Sequence, residues 1–339
     1  MKKAAIALAA TAIVSSSAFA QSNVTMYGLV DLGIVHESGG QGDSLLKLTS
    51  GIANGSRIGF RGTEDLGGGM NAFFTMENGF QADTGTLGQG GLLFGRQVFV
   101  GVGGGFGMVK LGRQYTPIDE TVGGADPFGN GFAGRLQNVF MQGYVSRVDN
   151  DVMYVTPNIN GFEGSVAYGF GEVAGDTAAK RYAAGSAAYI KGPLWVKLAS
   201  QSTNNGTTAG TSNGSARNTM LGARYDFSSF KLHGAYAVSK TDAAGVYSVD
   251  ARDYMIGATV PFGADALMAS YIKRSDRLAV SRDADQLAIG YTHMLSKRTT
   301  LYAAYARINN KNGATYKVGS AIEGGSNDRG LNLGMRHVF

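Results

Sequence analysis

Apolar and polar residues alternate with a period of two from one end of the chain to the other. In the opening run Met26, Gly28, Val30, Leu32 and Ile34 share one parity, while Thr25, Asp31 and Glu37 fall on the other. Further on, Ile58, Phe60 and Gly62 alternate with Arg57, Gly59, Arg61 and Thr63. Met70, Ala72, Phe74 and Met76 stand likewise against Asn71, Thr75 and Glu77, and Phe162, Val166, Tyr168 and Phe170 against Glu163 and Ser165. Successive side chains of a strand point to opposite faces, so this period predicts strands with one apolar and one polar face, not helices.

Sixteen such runs can be drawn, at 23–36, 55–64, 69–80, 92–103, 105–115, 149–157, 161–171, 180–191, 193–203, 216–227, 229–239, 252–261, 264–276, 284–294, 298–309 and 328–339. Most approach the roughly 9 to 11 residues that a tilted strand needs to cross a bilayer. Short turns such as EDLGGG (64–69), GGG (103–105), NING (158–161) and LSKR (295–298) alternate with longer polar segments at 37–54, 81–91, 116–148, 172–179, 204–215, 240–251, 277–283 and 310–327. Short turns at one end, long loops at the other and an even strand count are the pattern of an outer-membrane β-barrel with both termini in the periplasm. The fold expected is therefore all-β, a sixteen-stranded antiparallel transmembrane barrel. An arginine facing lipid at mid-bilayer costs roughly 2 to 4 kcal/mol, so Arg57 and Arg61 should face the lumen and their apolar neighbours the lipid. A secreted β-sandwich or solenoid would also use regular short strands. Against it, no proline protects an exposed edge, and the apolar parity lacks the bulk of a two-sheet core.

Composition agrees with this picture. Proline, which cannot donate to a strand ladder, is held to 5 residues, while glycine reaches 52. Cysteine is absent, so neither disulfides nor thiolate chemistry contributes. A mean hydropathy of −0.06 would suit a soluble protein, but it also suits a barrel in which only alternate residues meet lipid. At the amino end Lys2 and Lys3 precede an apolar stretch from Ala4 to Val14 and the tripeptide Ala18-Phe19-Ala20. This is the make-up of a secretory signal peptide over 1–20, with a mature barrel over 21–339. An N-terminal anchor fits poorly, because roughly 17 to 25 apolar residues are needed to span a bilayer. Removing Lys2 and Lys3 takes the formal charge from +5 to +3, too little to argue for nucleic acid.

Several long stretches carry a family resemblance. They are VTMYGLVDLGI near the start, SRIGFRGTEDLGGGMNAFFTMENGF (56–80), LFGRQVFVGVGGGFGMVKLGRQY (93–115), SRVDNDVMYVTPNINGFEGSVAYGF (146–170) and the ending GMRHVF (334–339). Together the chain resembles the general-diffusion porins of β-proteobacteria over essentially its whole mature length. The resemblance implies a homotrimer of sixteen-stranded barrels in the outer membrane, each with a water-filled pore for small hydrophilic solutes, narrowed by a third loop folded inward. It also implies that Arg57, Arg96 and Arg147 build a basic cluster on the wall of the constriction.

The residues support a narrowed pore independently. Segment 116–148 is the longest connection, and a loop of that length without regular structure of its own should have a task. Gly and Pro let it bend, and its charges could face a wet lumen; a flexible external flap is the competing reading. A pore discriminates ions by charges at its narrowest part, where low-dielectric walls focus the field. The residues expected to line it are Arg57, Arg96, Arg113, Arg135 and Arg147 on the basic side and Asp119, Glu120 and Asp126 on the acidic side, with Arg61 and Lys110 as further basic wall positions. Local parity leaves the facing of Arg96 and Arg113 open. The expectation is a weak anion preference. At the carboxyl end Leu331, Leu333 and Met335 alternate with Asn332, Gly334 and Arg336, and the final Phe339 resembles the signal read by barrel-assembly machinery. Its plainer role is that of a girdle aromatic.

Other chemistry finds little footing. The histidines, His36, His233, His293 and His337, show no metal-ligand spacing, and neither a nucleophile elbow nor a phosphate-binding loop is present. The glycine run at 101–107 lies between two strands and reads as a tight hairpin. No cofactor, metal or catalytic set is expected. The partners expected are outer-membrane lipid and lipopolysaccharide, with periplasmic chaperones and the assembly machinery during biogenesis. A barrel enzyme and a plugged adhesive barrel remain as alternatives, which lipid or peptide turnover and single-channel conductance respectively would reveal.

Overall fold

The computed structural model describes residues 23–40, 42–206, 210, 214–243 and 246–339; the expected signal peptide lies outside the described residues. Seventeen strand segments form one sheet: β1 Asn23–Ser38, β2 Leu45–Ser50, β3 Arg57–Gly67, β4 Met70–Gly79, β5 Gln97–Gly104, β6 Gly107–Tyr115, β7 Arg147–Val155, β8 Phe162–Gly169, β9 Tyr182–Lys191, β10 Leu194–Asn204, β11 Gly214–Asp226, β12 Lys231–Ala243, β13 Val246–Phe262, β14 Asp265–Asp276, β15 Ala284–Met294, β16 Thr299–Asn310 and β17 Arg329–Val338. Neighbours in sequence pair antiparallel, and β17 returns to β1 over Leu29↔Val338 to Ser38↔Arg329, which closes the barrel. The upper half of β1 pairs with β2 and the lower half with β3, so these two short segments share one position and the wall has sixteen.

Parity in the wall matches the alternation of the sequence. Val24, Met26, Ile34, Phe162, Val166, Leu287 and Ile289 are exposed on the outside, while Asp31, Asn218, Asp253, Gln286 and Asn332 are buried on the inside. This inverts the rule for a water-soluble protein and rules out a sandwich, since a continuous apolar exterior needs an apolar surrounding. Aromatic pairs rim both ends, such as Tyr168–Phe170 at 5.0 Å near the long loops and Tyr225–Phe227 at 4.5 Å near the short turns.

Three expected boundaries change. Segment 37–54 is not all loop: LLKLTS alternates and becomes β2, with Leu46 and Leu48 outward and Lys47 and Thr49 inward. The expected loop 240–251 is largely strand, because β12 runs on to Ala243 and β13 starts at Val246. Polar residues suit both faces of a hairpin projecting into water, so hydropathy does not mark where the membrane part ends. Conversely, residues 92–96 leave the expected strand; Gly95 and Arg96 turn the chain inward before β5.

Segment 116–148 also has regular structure where none was expected. Helix α1 spans Pro117–Ala125, with Thr116 as its N-cap accepting from the Asp119 amide at 3.3 Å, Pro at its first turn, and Asp119 and Glu120 beside the positive end of its dipole. A short 3-10 turn follows at Leu136–Asn138. The apolar side of the segment, including Ile118, Val122, Phe128, Leu136 and Phe140, packs against Met220, Met255, Ile272 and Tyr302 of the inner wall. The largest buried core of the described residues is thus this contact between loop and wall.

Candidate functional site

The loop crosses the lumen and leaves a narrow recess of about 340 Å³ between α1 and the wall formed by β3 to β7. On the wall side the recess is lined by Arg57, Arg96, Tyr115 and Arg147, and on the loop side by Asp119, Glu120 and Asn130. Strand β3 begins with Arg57, and its guanidinium lies 3.9 Å from Glu77 of β4 and donates to the Gly55 carbonyl at 3.0 Å. Arg96 donates through Nε to the same carboxylate at 2.7 Å. Its Nη2 reaches the Tyr115 hydroxyl at 2.5 Å, and Arg147 Nη2 reaches that hydroxyl at 2.6 Å with its guanidinium 4.3 Å from the ring centre. Glu77 also accepts from Tyr27 at 3.0 Å. Three guanidiniums are thus fixed in place by one carboxylate and one phenol, which leaves the wall side positive.

Across the recess, Glu120 is paired with Lys197 of β10 at 2.7 Å. Asp119 accepts from the Tyr144 hydroxyl at 2.7 Å. Burial pushes the Asp119 carboxyl up to about 6, against the opposing pull of the Tyr144 hydrogen bond and of Arg147. A transverse field results, with net positive charge on the wall and a partly neutralised acidic face on the loop.

Of the eight residues expected to line the pore, this arrangement brings together Arg57, Arg96, Arg147, Asp119 and Glu120. The other three lie elsewhere. Arg113 stands across from Val98 on the row whose neighbours Val98 and Leu111 are exposed outside, donates to the Gly95 carbonyl, and pairs with Asp149 at 2.5 Å. A register shift between Gly112 and Gln114 explains why parity did not settle its facing. Asp126 is 4% exposed and accepts from the amides of Phe128, Asn130 and Leu136, so it shapes the loop and has no face on the opening. Arg135 bonds Asn138 at 3.0 Å within the loop.

Sequence reasoning missed Glu77 and Tyr115 as members of the site. Glu77 was read as an inward residue, and only the convergence of Arg57, Arg96 and Tyr27 on it gives it a role. Tyr115 closes the GRQY motif, one residue before the chain turns into the lumen. The loop itself is latched to the opposite wall. The Met141 amide donates to Asp253 at 2.6 Å and Arg274 to the same carboxylate at 2.9 Å; Asn138 donates to Gln286 at 2.9 Å. His233 Nδ1 lies 2.9 Å from the Ala125 carbonyl. At Gly290 a Cβ would come within 2.7 Å of the Phe128 ring, so only glycine lets the loop seat there. Among the described residues, no group of three or more His, Cys, Asp or Glu is placed to hold a metal ion.

Comparison with known proteins follows the same lines. The profile of a family described as Gram-negative porin matches residues 4–313. The chain is 35% identical to the outer membrane porin protein 32 of Delftia acidovorans, over the full length of both. Among solved structures it is similar to an anion-selective porin from Comamonas acidovorans, with a TM-score of 0.81 and 31% identity over 94% of this chain and 100% of that one. A trimer form of OmpT from Vibrio cholerae shares the fold at a TM-score of 0.70 and 16% identity, over 94% of this chain and 99% of the other.

Proposed function

The chain belongs to the Gram-negative porin family, and from that premise we propose that it is an anion-preferring channel whose selectivity is set where α1 faces Arg57, Arg96 and Arg147. It is an outer-membrane porin, a barrel apolar outside and wet inside that passes small hydrophilic solutes and ions by passive diffusion. The family and the fold are those of a channel, and the reading assigns it no reaction.

One observation carries the selectivity: the wall sets three arginines against the single carboxylate Glu77, which pairs with Arg57 and Arg96 while Arg147 rests on Tyr115, and Lys197 offsets Glu120 on the other side. Inside a narrow, low-dielectric opening that excess raises the local concentration of anions. Screening acts over about 8 Å in physiological salt, so charges at the recess outweigh those on outer loops. The anion selectivity of the Comamonas porin supports the same sign. Reversal potentials in planar bilayers under a potassium chloride gradient should show anion preference that falls several-fold in Arg57→Ala and Arg96→Ala. Cation selectivity untouched by either change would sink the reading.

The assembly we propose is a homotrimer, with the outer apolar band in contact with lipid and lipopolysaccharide and residues 1–20 removed on secretion. Phe339 is proposed as an assembly signal used by periplasmic chaperones and the barrel-assembly machinery. Its amide and carbonyl pair with Gly28 at 3.0 and 3.1 Å, so it completes the closing seam while the residue stays 41% exposed. Deleting Phe339 should lower the yield of folded protein in outer membranes; normal yield would count against the role.

A further inference from the structure

Below the constriction, toward the short turns, the bare wall carries a second chemistry. Lumen-facing rows place Phe73 beside Gly101 and Lys110, and Phe99 beside Thr75 and Arg61. Tyr27 stands one row nearer the constriction, beside Gly59. The rings lie against the wall because their neighbours lack side chains: a Cβ on Gly59 would come within 2.6 Å of the Tyr27 ring, and one on Gly101 within 2.5 Å of Phe73. Phe73 and Phe99 meet edge to face at 6.4 Å. The Arg61 guanidinium lies 5.3 Å from the Tyr27 ring centre and the Lys110 ammonium 5.4 Å from that of Phe99.

These rings are half-buried, not covered, so apolar surface that a solute could remove from water stays open to the lumen. Among the described residues, neither Arg61, which is exposed, nor Lys110, which is half-buried with Asp151 nearby, makes a side-chain hydrogen bond or a salt bridge. Beside them opens a recess of about 870 Å³ that Arg61, Phe73 and Thr75 help to line and in which Glu163, at the rim, is the one carboxylate. Rings with cations at their edges complement a solute with a flat π-face and a negative end, and an apolar pocket with a few convergent polar groups is how small-molecule sites are built.

We propose that this patch is a subsite for small aryl carboxylates, holding the ring against Phe73 and Phe99 and the carboxylate toward Arg61 or Lys110. The inference rests on the channel reading and adds a preferred solute class to it. Benzoate, added on the short-turn side of single channels in potassium chloride, should reduce the chloride current at a lower concentration than cyclohexanecarboxylate. Phe73→Leu and Phe99→Leu should each raise the half-blocking benzoate concentration roughly three- to ten-fold, the size of an aromatic pair contribution, with chloride conductance unchanged. Phe73→Tyr should keep the block. Equal block by the two acids, or unchanged benzoate block in both leucine variants, would overturn the subsite while leaving the chloride channel intact. A parent protein without chloride conductance would remove the channel reading and this inference with it.

Discussion

The two halves of the lumen wall are made of the same kind of strand and used in different ways. From β10 to β16, the inward polar groups are occupied by the loop: Asp253 takes the Met141 amide, Gln286 takes Asn138, His233 meets the Ala125 carbonyl, and Lys197 holds Glu120. Across the lumen, α1 stands off the wall of β3 to β7, where Arg57 and Arg96 converge on Glu77 beside the recess and Arg61 and Lys110 lie near the rings of Tyr27 and Phe99. A charge on the lumen parity is therefore a pore charge only where nothing covers it. The covered half supplies rigidity, and the bare half supplies the field that solutes meet.

The largest effect should follow from breaking the covered half. Asp253 is wholly buried with Arg274 at 5% side-chain exposure, and the pair holds the loop through both Met141 and Val139. Removing one partner of a buried pair costs about 3 to 5 kcal/mol, because the other charge is left uncompensated. Asp253→Ala should release the loop, giving higher, noisier single-channel conductance and a lower unfolding temperature. A variant with parental conductance and stability would show that the latch does not hold the loop.

How much of this contrast could be read in advance depends on the range of the contacts. Strand parity is local, and the alternation around Arg57 and Met26 was enough to place lumen and lipid faces. The cover is not local: Asp253 and Met141 are far apart in the chain, and nothing in the residues around Asp253 marks it as a latch. Within the loop, local signals did exist. Thr116, Pro117, Asp119 and Glu120 spell a helix start. Asp126 before Pro127 spells a side chain that caps its own turn, which would have separated it from Asp119. Arg113 was beyond such reading, because the register shift beside it depends on how β6 and β7 pair.

A smaller effect should come from pH acting across the recess. With its carboxyl near 6, Asp119 is mostly ionised at pH 7.5 and mostly neutral at pH 5. Acidification therefore removes a negative charge facing Arg147, and anion preference should rise, by about two-fold in permeability ratio for one partly screened charge. Reversal potentials at the two pH values test the sign, and Asp119→Asn should hold the low-pH selectivity at both. A fall in anion preference on acidification would place the titrating charge on the wall side instead.

The smallest effect expected is the most discriminating for the division between bare wall and exterior. Arg113 differs from Arg96 by facing away from the recess, where it is matched by Asp149, whose side chain is 63% exposed. An ion pair open to solvent contributes about 0 to 1 kcal/mol, so its loss should leave folding almost unchanged. Its field at the recess is offset by Asp149 and screened by the solvent around the pair. Arg113→Ala should then leave the reversal potential at the parental value under the same gradient in which Arg96→Ala loses most of its anion preference. If both variants lost selectivity alike, the charge that anions meet would extend beyond the recess, and Arg113 would belong to the pore after all.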